Sequence, residues 1–108
     1  MNRHRVAKLD TRNKVTRIIL KLTDATNRGK ILWTGGGAKY STTVGLTDVK
    51  VYNQNGGVML CIEVTDGDFY IGDQSQQEML KRLWDAVIEQ KKRGDDGLTK
   101  LIELLDKL

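Results

Sequence analysis

Residues 33–40 read WTGGGAKY, and three glycines ahead of a lysine raise the question of a phosphate site. A phosphate-cradling loop has the pattern G-x-x-x-x-G-K-[ST] between a strand and a helix, so that backbone N–H groups and a helix N-terminus meet the anion. Here Ala38 separates the glycines from Lys39, and Tyr40 stands where Ser or Thr is required. The β-branched run YSTTV follows instead of a helix. The dinucleotide fingerprint fails as well, because its third glycine falls on Tyr40. The stretch is expected to be a flexible hairpin loop, with Trp33 anchoring the chain ahead of it.

The other candidates for chemistry are few. Asp66, Asp68 and Asp73 in TDGDFYIGD suggest a calcium loop. Counted from Asp66, however, Tyr70 takes the fifth position and Ile71 the sixth, where such a loop needs an oxygen ligand and a glycine. An Asp-Gly hairpin turn is the simpler reading. His4 is the only histidine and Cys61 the only cysteine, which is too little for a zinc site and leaves no nucleophile–base pair. Cys61 lies within VMLCIEV and reads as a small buried hydrophobe rather than a reactive thiol. Glu63 with Asp66 or Asp68 is the one carboxylate pairing near in sequence, and nothing around it indicates a pocket. No catalytic, cofactor-binding or metal-ligating residue is assigned, and the chain reads as non-enzymatic.

Charge is the stronger signal. Residues 1–30 hold nine Lys or Arg against two Asp, a balance of +7, and residues 31–108 hold nine against twelve Asp or Glu, or −3, which together give the net +4. A basic end on an acidic body favours either nucleic acid or self-association. For nucleic acid the candidates are Arg12, Lys14, Arg17, Lys21, Arg28 and Lys39, with Tyr40, Tyr52 and Trp33 able to stack on bases if they face outward. No RRM, KH or zinc-finger signature accompanies them. No secretory h-region and no membrane-length apolar run is present, so the expected location is cytoplasmic, with no membrane partner and no small-molecule substrate inferred.

These residues have to be positioned by elements whose patterns are clear. In 11–27, Val15, Ile18, Ile19 and Leu22 recur at helical spacing, with Asp10 or Thr11 as N-cap and Gly29 as the stop. Residues 1–10 are either an extension of this helix or a flexible basic arm. From 30 to 72, the runs ILWT, YSTTV, VKVY, VMLCIEV and FYI alternate with turn signals. Links this short require antiparallel neighbours. SQQE, beginning at Ser75, has the form of a capping box and opens a helix that carries Leu80, Leu83, Trp84 and Val87 and ends at Gly94. GLTKLIELLDKL then reads as a third, short helix. Leu101, Leu104, Leu105 and Leu108 are its candidate interface, because eleven residues are marginal as an isolated helix.

Taken together, Thr26 followed by Gly29-Lys30-Ile31-x-Trp33, then the meander, Leu80-x-x-Leu83-Trp84 and the LIELLDKL end resemble a group of small bacterial and phage proteins of unassigned function. The resemblance covers most of residues 15–108. It implies a fold and carries over no functional residue.

The expected architecture is a single α+β domain over 1–108. It has an N-terminal helix, a four- to five-stranded antiparallel meander and two C-terminal helices packed on one face. The expected core holds Leu60, Ile62, Val64, Leu80, Leu83, Trp84 and Val87. The expected role is a small protein–protein interaction module, a homo-oligomer and specifically a homodimer. The alternative is a nucleic-acid-binding accessory protein that uses the basic N-terminal helix.

Overall fold

The computed structural model describes residues 2–65 and 67–108, with side chains from Arg12 onward. The side chain of His4 therefore falls outside the described ones, and Asp66 outside the described residues. Helix α1 spans Asn2–Asn27, so Asp10 and Thr11, expected to cap it, lie within it instead. Five strands follow: β1 Thr34–Gly36, β2 Lys39–Val44, β3 Thr47–Gln54, β4 Gly57–Val64 and β5 Gly67–Ile71. They form one antiparallel sheet in the order β1-β2-β3-β4-β5. A 3-10 turn, Gln74–Gln76, leads into α2, Gln77–Asp106.

The sheet obeys its period of two. Tyr40, Val51, Leu60 and Ile71 stand in register across four strands, and all four are buried. Their neighbours in sequence point to the other face, where Ser41, Lys50, Cys61 and Tyr70 form the matching row. Helix α2 packs on the buried face through Leu80, Leu83 and Val87, and α1 adds Ile19 and Leu22 to the same core. One face is covered and one open, as in most antiparallel meanders.

The end of α1 is a Schellman stop. Gly29 takes φ 70°, the Lys30 N–H donates to Ala25 O at 2.8 Å, and the Gly29 N–H donates to Thr26 O at 3.1 Å. The chain then turns back so that Trp33, 4% exposed, donates its Nε1–H to Thr26 Oγ1 at 2.9 Å. That hydroxyl in turn donates to Leu22 O at 2.6 Å. The spacing from Thr26 through Gly29 to Trp33 is thus a helix stop whose returning indole is fastened to the last turn.

Several expectations need correction. The C-terminal region holds one helix among the described residues, where two were expected. Gly94 and Gly97 do not take positive φ, and α2 runs through both. ILWT is not a strand. Its backbone groups pair with side chains instead: Ile31 O and the Trp33 N–H with Gln90, and Leu32 O with the Thr42 hydroxyl at 2.7 Å. The first strand is formed by Thr34 and the glycines themselves, with Gly37-Ala38 as a tight turn into β2. Gly35 has φ 123°, and a Cβ there would lie 2.5 Å from Lys39 O, so the close approach of β1 to β2 requires glycine. The capping box does not form. The N-cap of α2 is Gln76, which makes no side-chain cap bond, because the 3-10 turn occupies the place of the expected first turn. In the core, Leu60, Leu80, Leu83 and Val87 are buried as expected. Trp84 and Ile62 are partly buried, and Val64, at the end of β4, is exposed.

Candidate interaction surfaces

Three surfaces stand out once the fold is in place. The first is the far half of α2. Among the described residues, Gln90 is the last on this helix to bond to another element. Its Nε2 donates to Ile31 O at 2.8 Å and Thr26 O at 3.3 Å, and its Oε1 accepts from the Trp33 N–H at 3.0 Å. From Lys92 onward every residue is exposed. This projecting end is seventeen residues by number, about 25 Å of helix. It carries Leu98, Leu101, Ile102, Leu104, Leu105 and Leu108, between 51% and 100% exposed.

These six are not scattered. At about 100° per residue they occupy one side of the helix, and Thr99, Lys100, Glu103, Asp106 and Lys107 occupy the other. Their sector is the one in which Leu80, Leu83, Val87 and Gln90 face the body of the protein. The stripe that builds the core therefore continues past the point where the core stops. Gly94 and Gly97 lie within it, and no atom of the described residues comes within 4 Å of the space their side chains would fill. The structure thus places Leu101, Leu104, Leu105 and Leu108 together on one exposed face, joined by Leu98 and Ile102.

The second surface is the outside of α1. Lys14, Arg17, Lys21 and Arg28 fall in one stripe opposite the buried Ile19, Leu22 and Thr26. All four are exposed, and Arg28 is paired with Asp24 at 3.2 Å. Arg12 is off that stripe and lines a shallow groove with Phe69, Tyr70 and Asp73. Lys39 is elsewhere again, on the open face of the sheet, its Nζ 5.8 Å from the centre of the Tyr52 ring. The six candidate cations therefore do not form one patch; four of them do. Trp33 and Tyr40 are buried and offer no stacking surface, and Tyr40 instead meets Trp84 edge-on at 5.3 Å.

The third is the open face of the sheet around Cys61. Cys61 Sγ and carboxylate oxygens of Glu63 and Asp68 lie within 4.8 Å of one another, so these three residues could ligate a metal ion. The chemistry argues against that. Lys50 Nζ sits 2.5 Å from Glu63 and already supplies the positive charge. Glu63 in turn raises the Lys50 ammonium above its ordinary pKa, first by hydrogen bonding and then by its charge. Burial pushes the Cys61 thiol up, and the charge of Asp68 adds to the effect. The Tyr70 hydroxyl is raised as well, chiefly by Cys61 and Asp68. This cluster has the chemistry of a closed ion pair beside a shielded thiol. Sequence reasoning placed Glu63 and Asp68 near one another, and the register sets them directly opposite across β4 and β5.

Two glutamines that fasten backbone across the fold escaped the sequence reading. Gln90 is described above. Gln77 accepts from the Val58 N–H at 2.9 Å and donates to Val58 O and Gly72 O at 2.8 and 3.0 Å. Each spends its whole amide on distant backbone, and no local motif announces that. Among the described residues, no helix is long and apolar enough to cross a membrane. No family model, curated protein or solved structure matches the chain.

Proposed function

We propose that this protein is a small non-enzymatic interaction module whose docking element is the projecting end of α2, and that it associates with a second copy of itself. The observation that carries the reading is the apolar stripe of α2, which is buried up to Val87 and bare from Leu98 to Leu108. Fully burying a Leu or Ile side chain is worth about 1.5–3 kcal/mol, so six half-bare side chains on each chain favour association. An interface confined to this one helix face is smaller than the roughly 800 Å² per partner of a standard one, so the association is taken as weak and reversible, with a dissociation constant of about micromolar order. Charge supports a like partner. Lys91, Lys92 and Arg93 form a basic collar at the base of the projection, and the residues beyond it, with Asp95, Asp96, Glu103 and Asp106 against Lys100 and Lys107, are acidic on balance.

Light scattering at about 100 µM, well above a micromolar dissociation constant, tests this. The full chain is expected to run as a dimer and a chain lacking residues 98–108 as a monomer. A monomer at both lengths would reject the reading.

A second reading has its own observation, the stripe of Lys14, Arg17 and Lys21 on α1 with Arg28 just past its end. It supports a nucleic-acid accessory role based on phosphate contacts, and such binding weakens steeply with salt. Retention of the chain on a single-stranded oligonucleotide at low salt, lost when Lys14, Arg17 and Lys21 are changed to Glu, is the expected result on this reading. Absence of retention at low salt would dispose of it.

A further inference from the structure

We infer that the second copy docks antiparallel along α2, in a register stopped by the body of the protein, with Leu105 of each chain seated over Gly94 of the other. This rests on the reading that the projecting end of α2 pairs with its own kind, and adds the geometry. The bare stripe lies in the sector that faces the core up to Gln90, so a partner helix must approach from the side on which the chain's own sheet and α1 already lie. A parallel, in-register pair brings both bodies to the same end, each where the other chain's α2 has to run. An antiparallel pair puts the bodies at opposite ends, and each incoming tail can advance only until it meets the other body, just past Gln90.

The heptad pattern fits that stop. Leu98 and Leu105 take one seam position, and Gly94, Leu101 and Leu108 the other. Antiparallel layers pair one kind with the other. When Leu108 of the second copy reaches Lys91, Leu101 stands opposite Leu98 and Leu105 opposite Gly94. The open space at Gly94, with nothing within 4 Å among the described residues, then receives a large side chain. The Lys91 stem covers Leu108 while its ammonium stays in water. The parallel arrangement instead sets Gly94 against Gly94, leaving a void, and stacks Lys91 on Lys91.

Cross-linking in a Cys61→Ser background tests the register. Chains carrying Gly94→Cys and Leu105→Cys are made separately, confirmed folded by circular dichroism, and oxidised alone and mixed. The mixture is expected to give a disulfide-linked dimer and neither variant alone to give one, because like positions lie about eleven residues apart along the antiparallel pair, roughly 16 Å, beyond disulfide reach. As a check of opposite sign, Gly94→Leu overfills the proposed seat and is expected to weaken dimerisation about tenfold or more, whereas in a parallel pair it would fill the void and tighten it. If light scattering shows a dimer but the single variants cross-link with themselves, or no sample cross-links, the register is wrong while the interaction module stands. If the unmodified chain is a monomer, the module reading has failed and this inference fails with it.

Discussion

Gln90 holds three backbone groups that no strand or helix serves: the N–H of Trp33 and the carbonyls of Ile31 and Thr26. It joins the end of α1, the irregular 30–33 segment and α2 at one point. Replacing it with Ala leaves the Trp33 N–H and Ile31 O without partners, while Thr26 O keeps the Gly29 N–H, and such unpaired groups cost about 1–3 kcal/mol each when water cannot reach them. Partial hydration reduces the sum, and Gln90→Ala is expected to destabilise by about 2–3 kcal/mol in urea unfolding. A loss below about 0.5 kcal/mol, the size of an ordinary surface change, would show that the amide is not the clasp described. Of the neighbouring junction of Thr26, Gly29 and Trp33, the stop at Gly29 was legible in the sequence, whereas Trp33 read as part of a strand and its bond to Thr26 was not legible. Nor was Gln90, since its partners are backbone atoms 57 to 64 residues away and any residue type supplies those.

At the level of elements, the strands were legible where side chains alternate and illegible where they are absent. The register of β2 to β5 follows from runs such as KVY and MLCIEV, whose apolar face is unmistakable. Thr34-Gly35-Gly36 has no such pattern, and only the space beside Lys39 O explains why glycine pairs there. Helix α2 shows the same limit in another form. Gly29 and Gly94 each follow an arginine, Arg28 and Arg93, yet one lies at the end of its helix and the other does not. After Gly29 come Ile31 and Trp33, which fold back on apolar and polar partners and reward the reversal. After Gly94 come Asp95 and Asp96, which have nothing to pack on, so reversing the chain gains nothing. With no proline to forbid it, the helix continues at a cost of about 1 kcal/mol for each glycine. The capping box at Ser75 was overruled by a similar competition, in which Gln77 secures the start of α2 by bonding to β4 rather than to its own first turn.

The whole molecule is longer than a chain of this size needs to be. Its radius of gyration is 16.8 Å, against about 13 Å for a compact domain of 100 residues. Part of that excess is an α2 of about 45 Å, of which the last half, from Lys92 onward, is exposed. The projection stays helical because α2 is already nucleated by its packed half, but its own hydrogen bonds are open to water and weakened at two glycines. In a lone chain it should therefore open readily and locally, well below the cost of unfolding the sheet. Association with a second copy would remove that freedom. Amide hydrogen exchange of residues 98–106, followed as protein concentration rises from about 1 to about 300 µM across the expected dissociation constant, addresses this most directly. The account predicts fast exchange at the low end and protection that grows with concentration in this segment, while the core amides of β3 and β4 keep the same rates. Exchange in 98–106 that stays equally fast at every concentration would contradict it.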